Sequence, residues 1–201
     1  MLYNGIGGEP MARERKFSME ELYHLTKETL FQHGYEGFTF SLLAEELDVS
    51  RGTIYKYYEN KDELITDYMI YEMNLFLLEL KDIEAVSGFD AKFEFLLDTI
   101  FKHSKIYQII EIGQRIPANI NEQVKKNKEK LELLHLEMYR FLHSFVQLGK
   151  DERKINEKIP EALMLGYIFQ SIAIPNHTRI PQGEWVDAIK EIIRHGIFKS
   201  T

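Results

Sequence analysis

The side chains in this sequence best suited to gripping another molecule stand almost side by side: Arg51, Gly52, Thr53, Tyr55, Lys56 and Tyr57. Arg51 and Lys56 bring positive charge suited to phosphate oxygens or guanine edges, and Thr53, Tyr55 and Tyr57 bring neutral donors. Gly52 costs roughly 1 kcal/mol relative to alanine inside a helix, so its place here asks for a reason; a close backbone approach to a partner surface is one. Ile54 and Tyr58, one helical turn apart, are the inward positions, which leaves the polar set on the outward face of a short helix. Ser41 adds a hydroxyl near the start of the preceding helix, where a phosphate is favoured.

Two short helices within residues 39–64 must position that face. Thr39 caps the first, and Leu42, Leu43, Ala44 and Leu47 form its apolar side. Asp48 and Val49 make the corner, and Ser50 is placed to cap the second helix, expected to run for about two turns. Upstream, Ser18 and Glu21 have the spacing of a capping box, and Leu22, Leu25, Thr26, Thr29 and Leu30 follow a helical stripe to His33, where Gly34 ends it. Phe38 and Phe40 plug the core. Three such helices make a helix-turn-helix module, whose second short helix fits the major groove of double-stranded DNA while the first braces it.

A run of residues then carries a resemblance. Gly34-Tyr35-Glu36-Gly37-Phe38-Thr39, Leu43-Ala44, Val49-Ser50-Arg51-Gly52-Thr53-Ile54-Tyr55-Lys56-Tyr57-Tyr58 and Lys61-Asp62-Glu63-Leu64 together are similar to the N-terminal signature of the TetR family of transcriptional regulators. Two positions depart from it: Tyr58 stands where the family usually has Phe, and Asp48 where Gly is common. The first adds a hydroxyl to a core ring, and the second still tolerates a left-handed backbone. Beyond residue 80 the likeness is only of length and helical pattern. The resemblance implies that Lys61 touches the phosphate backbone and that the helix from Lys61 to about Lys81 connects the DNA module to the rest. It also implies a ligand pocket somewhere in the C-terminal part.

Composition narrows the alternatives. With no cysteine among 201 residues, disulfides, thiol redox sensing and cysteine-ligated metals are excluded. No apolar run is long enough for a membrane-spanning helix and no signal peptide is evident, so a cytoplasmic location is expected. The net charge of −7 sits awkwardly with a nucleic-acid partner, and residues 1–61 alone hold seven Lys/Arg against ten Asp/Glu. Distribution has to compensate, with Arg13, Arg15, Lys16, Arg51, Lys56 and Lys61 sharing one face. So few basic contacts per subunit imply modest non-specific affinity and a need for two subunits. Residues 1–16 are expected to be a flexible arm, with Met11 a candidate natural start; 17–64 the DNA-binding domain; and 65–201 a helical ligand-binding and dimerisation domain. The fold class expected is all-α, a three-helix helix-turn-helix domain plus a C-terminal helical bundle, with about nine helices.

Helical periodicity places further helices over 91–102, 104–113, 118–149, 161–174 and 183–198, with Asp90 as a cap and Pro160 at a helix start. The lysines at 125, 126, 128 and 130 read as a solvated face. Residues 161–174 are apolar nearly all round and must be covered on more than one side. Pairing with a second copy through Leu163, Gly166, Tyr167, Ile174, Trp185, Ile189, Ile192 and Ile193 would form a four-helix interface. A pocket in this region would take a small, mostly apolar effector oriented by His103, Tyr107, Gln114, Tyr139, His143, Tyr167 and Gln170. Glu21 with His24 and Glu132 with His135 have a metal-site spacing, but the first pair lies in the DNA module and the second lacks another inward partner, and no nucleophile motif or phosphate loop occurs. The chain is therefore expected to be neither an enzyme nor a holder of metal or cofactor. The leading expectation is a homodimeric, ligand-responsive repressor that binds a pseudo-palindromic operator. The alternative is a DNA-binding protein whose C-terminal domain docks a protein partner.

Overall fold

The computed structural model describes residues 17–197. The expected N-terminal arm, with Arg13, Arg15 and Lys16, lies outside the described residues. Among those described, nine α-helices and two 3-10 turns follow one another without a strand. The chain divides between Glu59 and Asn60 into two compact units, so residues 60–64, read from sequence with the first, open the second.

The first unit holds α1 (Met19–Gly37), α2 (Phe40–Glu46) and α3 (Arg51–Ile54). Ser18 and Glu21 close the capping box at the head of α1, the Glu21 N–H donating to Ser18 Oγ at 3.0 Å. The regular winding breaks at Gly34, whose φ of 64° and ψ of −177° form a backbone state nearly confined to glycine. The chain turns there so that Phe38, whose N–H returns to the Gly34 carbonyl at 3.1 Å, can drop into the core. Phe38 joins Leu22, Leu30, Leu43 and Ile54, all essentially buried. Tyr58 is buried too, and its hydroxyl faces that of Tyr23 at 3.5 Å, so the extra oxygen relative to phenylalanine has company.

The corner between α2 and α3 turns on Asp48, which sits at a φ of 49°. Asp and Asn tolerate that left-handed region better than other non-glycine residues. Two expectations need correction here. Ser50 occupies the N-cap position, but its hydroxyl bonds the Thr53 hydroxyl at 2.9 Å, not a backbone N–H. And α3 is regular for only one turn; tighter bonding, with the Tyr57 N–H donating to the Ile54 carbonyl at 2.9 Å, carries the winding on through Tyr58.

The second unit holds α4 (Lys61–Leu80), α5 (Phe89–Lys102), α6 (Ile106–Arg115), α7 (Glu122–Asp151), α8 (Glu161–Gln170) and α9 (Gln182–Ile197). Asn60 and Asn121 cap α4 and α7, each accepting at 2.9 Å from a backbone N–H three residues on. These two helices pack along each other, and a buried polar cluster joins their first turns. Asn127 donates to Thr66 Oγ1 at 3.0 Å, and Asn121 to the Glu63 carboxylate. The core beyond is apolar, with Phe93, Leu96 and Leu97 of α5 meeting Leu142 and Val146 of α7 and Leu165 of α8. Asp90 is not a cap: α5 starts earlier, at Phe89, because that ring is buried, and Gly88 at a φ of 80° makes the entry. Asp90 instead pairs with Lys154 at 2.7 Å. The apolar run from 161 stops being α-helical at Gln170, and Ser171–Ala173 continue it as a 3-10 turn.

Candidate nucleic-acid interface and effector cavity

In the first unit the outward face of α3 is built on Ile54, which is fully buried while Arg51, Gly52, Tyr55, Lys56 and Tyr57 are exposed and Thr53 is half-buried. The rings are braced from beneath. Tyr55 meets Phe40 edge-on with centroids 4.9 Å apart, and Tyr57 meets Phe17 in the same manner at 5.7 Å. The Arg51 guanidinium lies over the Tyr55 ring, 5.3 Å from its centroid, a cation–π contact that narrows its sweep without using its N–H donors. Ser41 is exposed one residue into α2. Lys61, the eighth residue expected to touch DNA, belongs to the second unit, half-buried at the head of α4.

A methyl group built on Gly52 would meet nothing closer than Ser50 Oγ at 3.8 Å, so no contact inside the chain demands glycine there. A short helix with a buried anchor, braced aromatic donors, a stacked arginine and a bare glycine is suited to lying against a polyanionic groove. Residues 22–68 match the family described as "Bacterial regulatory proteins, tetR family". Over that stretch, the N-terminal helix-turn-helix region, the chain is similar to the TetR family.

Comparisons over longer stretches agree. An HTH-type transcriptional regulator of Staphylococcus aureus (strain MRSA252) is 26% identical over 108 residues, spanning 51% of this chain and 56% of that protein, little more than half its length. Among solved structures, the ketosteroid regulator KstR2 of Mycobacterium tuberculosis superposes with a TM-score of 0.66 at 14% identity, covering 90% of this chain and 95% of that one. FadR of Bacillus subtilis in complex with stearoyl-CoA gives 0.67 at 17% identity, covering 90% and 100%. A protein from Saccharomonospora viridis in complex with choline gives 0.73 at 10% identity, covering 90% and 98%. At these identities the structures show a shared fold.

The second unit holds a partly open cavity of about 600 Å³. One face of α4 supplies Met69, Glu72, Met73 and Phe76, and α7 supplies Leu131, His135 and Met138. Three of the side chains expected from sequence line it: His103, Gln114 and Gln170. Tyr139 stands just behind, its ring 6.1 Å from that of Phe169, and Tyr107 has a side chain outside the described residues. His143 and Tyr167 do not belong to it. His143 is exposed and pairs with Glu161 at 3.0 Å, and Tyr167 points away from the core. The lining residues missed from sequence were visible as the α4 stripe at steps of three and four, which packing alone also explains.

Two ionisable groups at this wall are perturbed. Glu79 holds its carboxyl below the usual range because Lys102 and then His103 hydrogen-bond to it, at 2.7 and 2.8 Å. His135 is held below its ordinary value by apolar surroundings, although much of its surface faces open space.

The expected dimer face is thinner than the sequence suggested. Leu163, Tyr167, Ile174 and Ile192 are exposed, whereas Ile189 and Ile193 are buried in their own core and Trp185 packs half-buried against it. Helix α9 has one apolar stripe, and the chain's own core uses most of it. A methyl on Gly166 would lie 3.7 Å from the Tyr139 hydroxyl of the same chain, an ordinary contact. Among the described residues no three His, Asp or Glu side chains gather as a metal site, and no helix is long and apolar enough to cross a membrane.

Proposed function

We propose that this regulator represses transcription as a homodimer. Two copies of α3 dock in successive major grooves of a pseudo-palindromic operator, with half-sites separated by about 34 Å or a modest multiple. The observation that carries this is the outward face of α3, five exposed residues around a single buried isoleucine. Arg51 and Lys56 reach base edges or phosphates, Thr53, Tyr55 and Tyr57 position them, Gly52 admits the groove wall, and Ser41 and Lys61 meet phosphates. The exposed Leu163, Tyr167, Ile174 and Ile192 supply the self-association surface.

The cavity favours a small, mostly apolar effector over the alternative of a docked protein, since a concave, largely apolar space serves a ligand and a docking platform needs none. The choline and stearoyl-CoA of the two neighbours differ in charge, so likeness of fold leaves the charge of this effector open. An effector that prefers the non-binding state by about 2–3 kcal/mol would weaken operator affinity on the order of 30- to 150-fold.

Selection of bound fragments from the source genome, followed by footprinting of the tightest one, tests the reading. The expected result is a symmetric protected site whose affinity falls by about 1–3 kcal/mol with Lys56→Ala. Binding indifferent to sequence, or unchanged in Arg51→Ala and Lys56→Ala together, would overturn it.

A further inference from the structure

We infer that Arg51 reads a guanine in each half-site, and that Phe40, itself buried in the core, is the positioning residue that holds it in place through the ring of Tyr55. The inference rests on the reading of the α3 face as a DNA interface and adds the base it selects and the side chain behind that choice.

The stack is assembled from two helices. Arg51 and Tyr55 are one turn apart, so their side chains share a face, and the guanidinium lies over the ring at 5.3 Å from its centroid. Tyr55 is 46% exposed and would swing freely on its own. Phe40, the first residue of α2 and 5% exposed, meets it edge-on at 4.9 Å with the two planes 69° apart. A ring locked in the core thus backs a ring on the surface, which backs an outward cation. The donors of that cation remain unspent: no hydrogen bond or ion pair with a described residue engages its N–H groups. Ser50 and Thr53 instead turn their hydroxyls toward each other at 2.9 Å. Along the regular turn of α3, Arg51 is therefore the side chain with donors to offer.

Orientation decides between phosphate and base. A phosphate accepts a cation from many directions, so a side chain that only grips phosphate gains little from being stacked. Guanine is more demanding. Its O6 and N7 lie side by side at the major-groove edge, and two parallel N–H bonds form only when the guanidinium is held in the plane of the base. Adenine and cytosine present an amino donor there, and thymine a single acceptor, so none of them matches an all-donor fork twice. Stacking on Tyr55 fixes the tilt of the fork in advance, so the rotamer freedom of a long side chain is lost before binding and not during it. Gly52, next in the chain, places no side chain beside the fork.

The test uses the full chain and the tightest fragment from the genomic selection, synthesised with each half-site guanine replaced in turn by 7-deazaguanine, which lacks N7 yet still pairs with cytosine. At one guanine per half-site the replacement is expected to weaken the parent at least about fivefold, and in Arg51→Ala the two duplexes should bind alike. Phe40→Leu and Tyr55→Leu should each lose that discrimination while keeping the parent's slope of log affinity against log salt. Tyr55→Phe, which retains the ring, should keep it. Melting curves on the same samples identify folded variants, and Phe40→Met replaces Phe40→Leu should the latter not fold. Equal weakening on both duplexes, with discrimination intact in the folded Phe40 and Tyr55→Leu variants, overturns the positioning role. A site without an Arg51-dependent guanine overturns the base assignment while the DNA reading stands. Recovery of no symmetric site removes the DNA reading and this inference with it.

Discussion

Gly52 has room for a methyl group and keeps none, and its surroundings do not say why: the nearest atom a Cβ would meet is 3.8 Å away. Helix propensity favours alanine over glycine by up to about 1 kcal/mol, so Gly52→Ala should raise the melting temperature slightly. If the bare backbone serves a groove wall, the same substitution should weaken operator binding several-fold. A variant that melts higher and binds as well as the parent would detach Gly52 from the interface. At this scale the sequence was legible where a residue type has one physical use. Asp48 adopts the positive φ that its place in the corner required, and Tyr58 buries its ring. It misled where a residue has two uses. Ser50 can cap a helix or bond a neighbouring hydroxyl, and its choice of Thr53 depends on a side-chain angle that no spacing reports.

Between helices, Gly113 of α6 lies close against Met69 of α4 at the cavity wall. A Cβ on Gly113 would lie 2.3 Å from Met69 Cε and 2.6 Å from its sulfur, so Gly113→Ala must displace the far end of that methionine. Met69 lines the cavity, and a flexible thioether can move into open space at little cost. The variant should therefore melt near the parent temperature yet bind dodecanol, a neutral apolar probe of the cavity, more weakly; equal affinities would mean Met69 leaves by another route. Glu79 tests the same wall through pH. Its folded pKa lies below the ordinary 4.5, so the unfolded chain takes up the proton first, and stability from its bonds to Lys102 and His103 rises with pH through that range. The stability lost in Glu79→Gln should be present above pH 4.5 and shrink as the pH falls through and below that value. A difference that persists into strong acid would show the contact is not ionic. Helix periodicity and caps made the elements readable, while cavity walls were not. His143 and His103 look alike in sequence, and only the turn of α7 sends one to solvent beside Glu161 as the turn of α5 sends the other inward.

Across the whole chain the constraint is charge. A protein at −7 whose α3 and the turn after it carry Arg51 and Lys56 has few phosphate contacts to offer from one subunit, which is why the proposed operator complex uses two. Self-association must then use surface that the chain's own core has left over, and on α8 and α9 that is Leu163, Tyr167 and Ile192. Apolar content alone could not distinguish these from Ile189 and Ile193, because both sets recur at helical spacing and only packing decides which is spent inside. Leu163 is 63% exposed, so Leu163→Glu should leave the subunit folded and its cavity competent. In a dimer it buries two like charges near each other, and sedimentation should find monomers. Operator affinity should then fall at least about a hundredfold at moderate salt, and the slope of log affinity against log salt should drop to roughly half, since each complex releases half as many counterions. A variant that stays dimeric with an unchanged slope places the self-association surface elsewhere, and a monomer that keeps full affinity and slope removes the need for a second subunit.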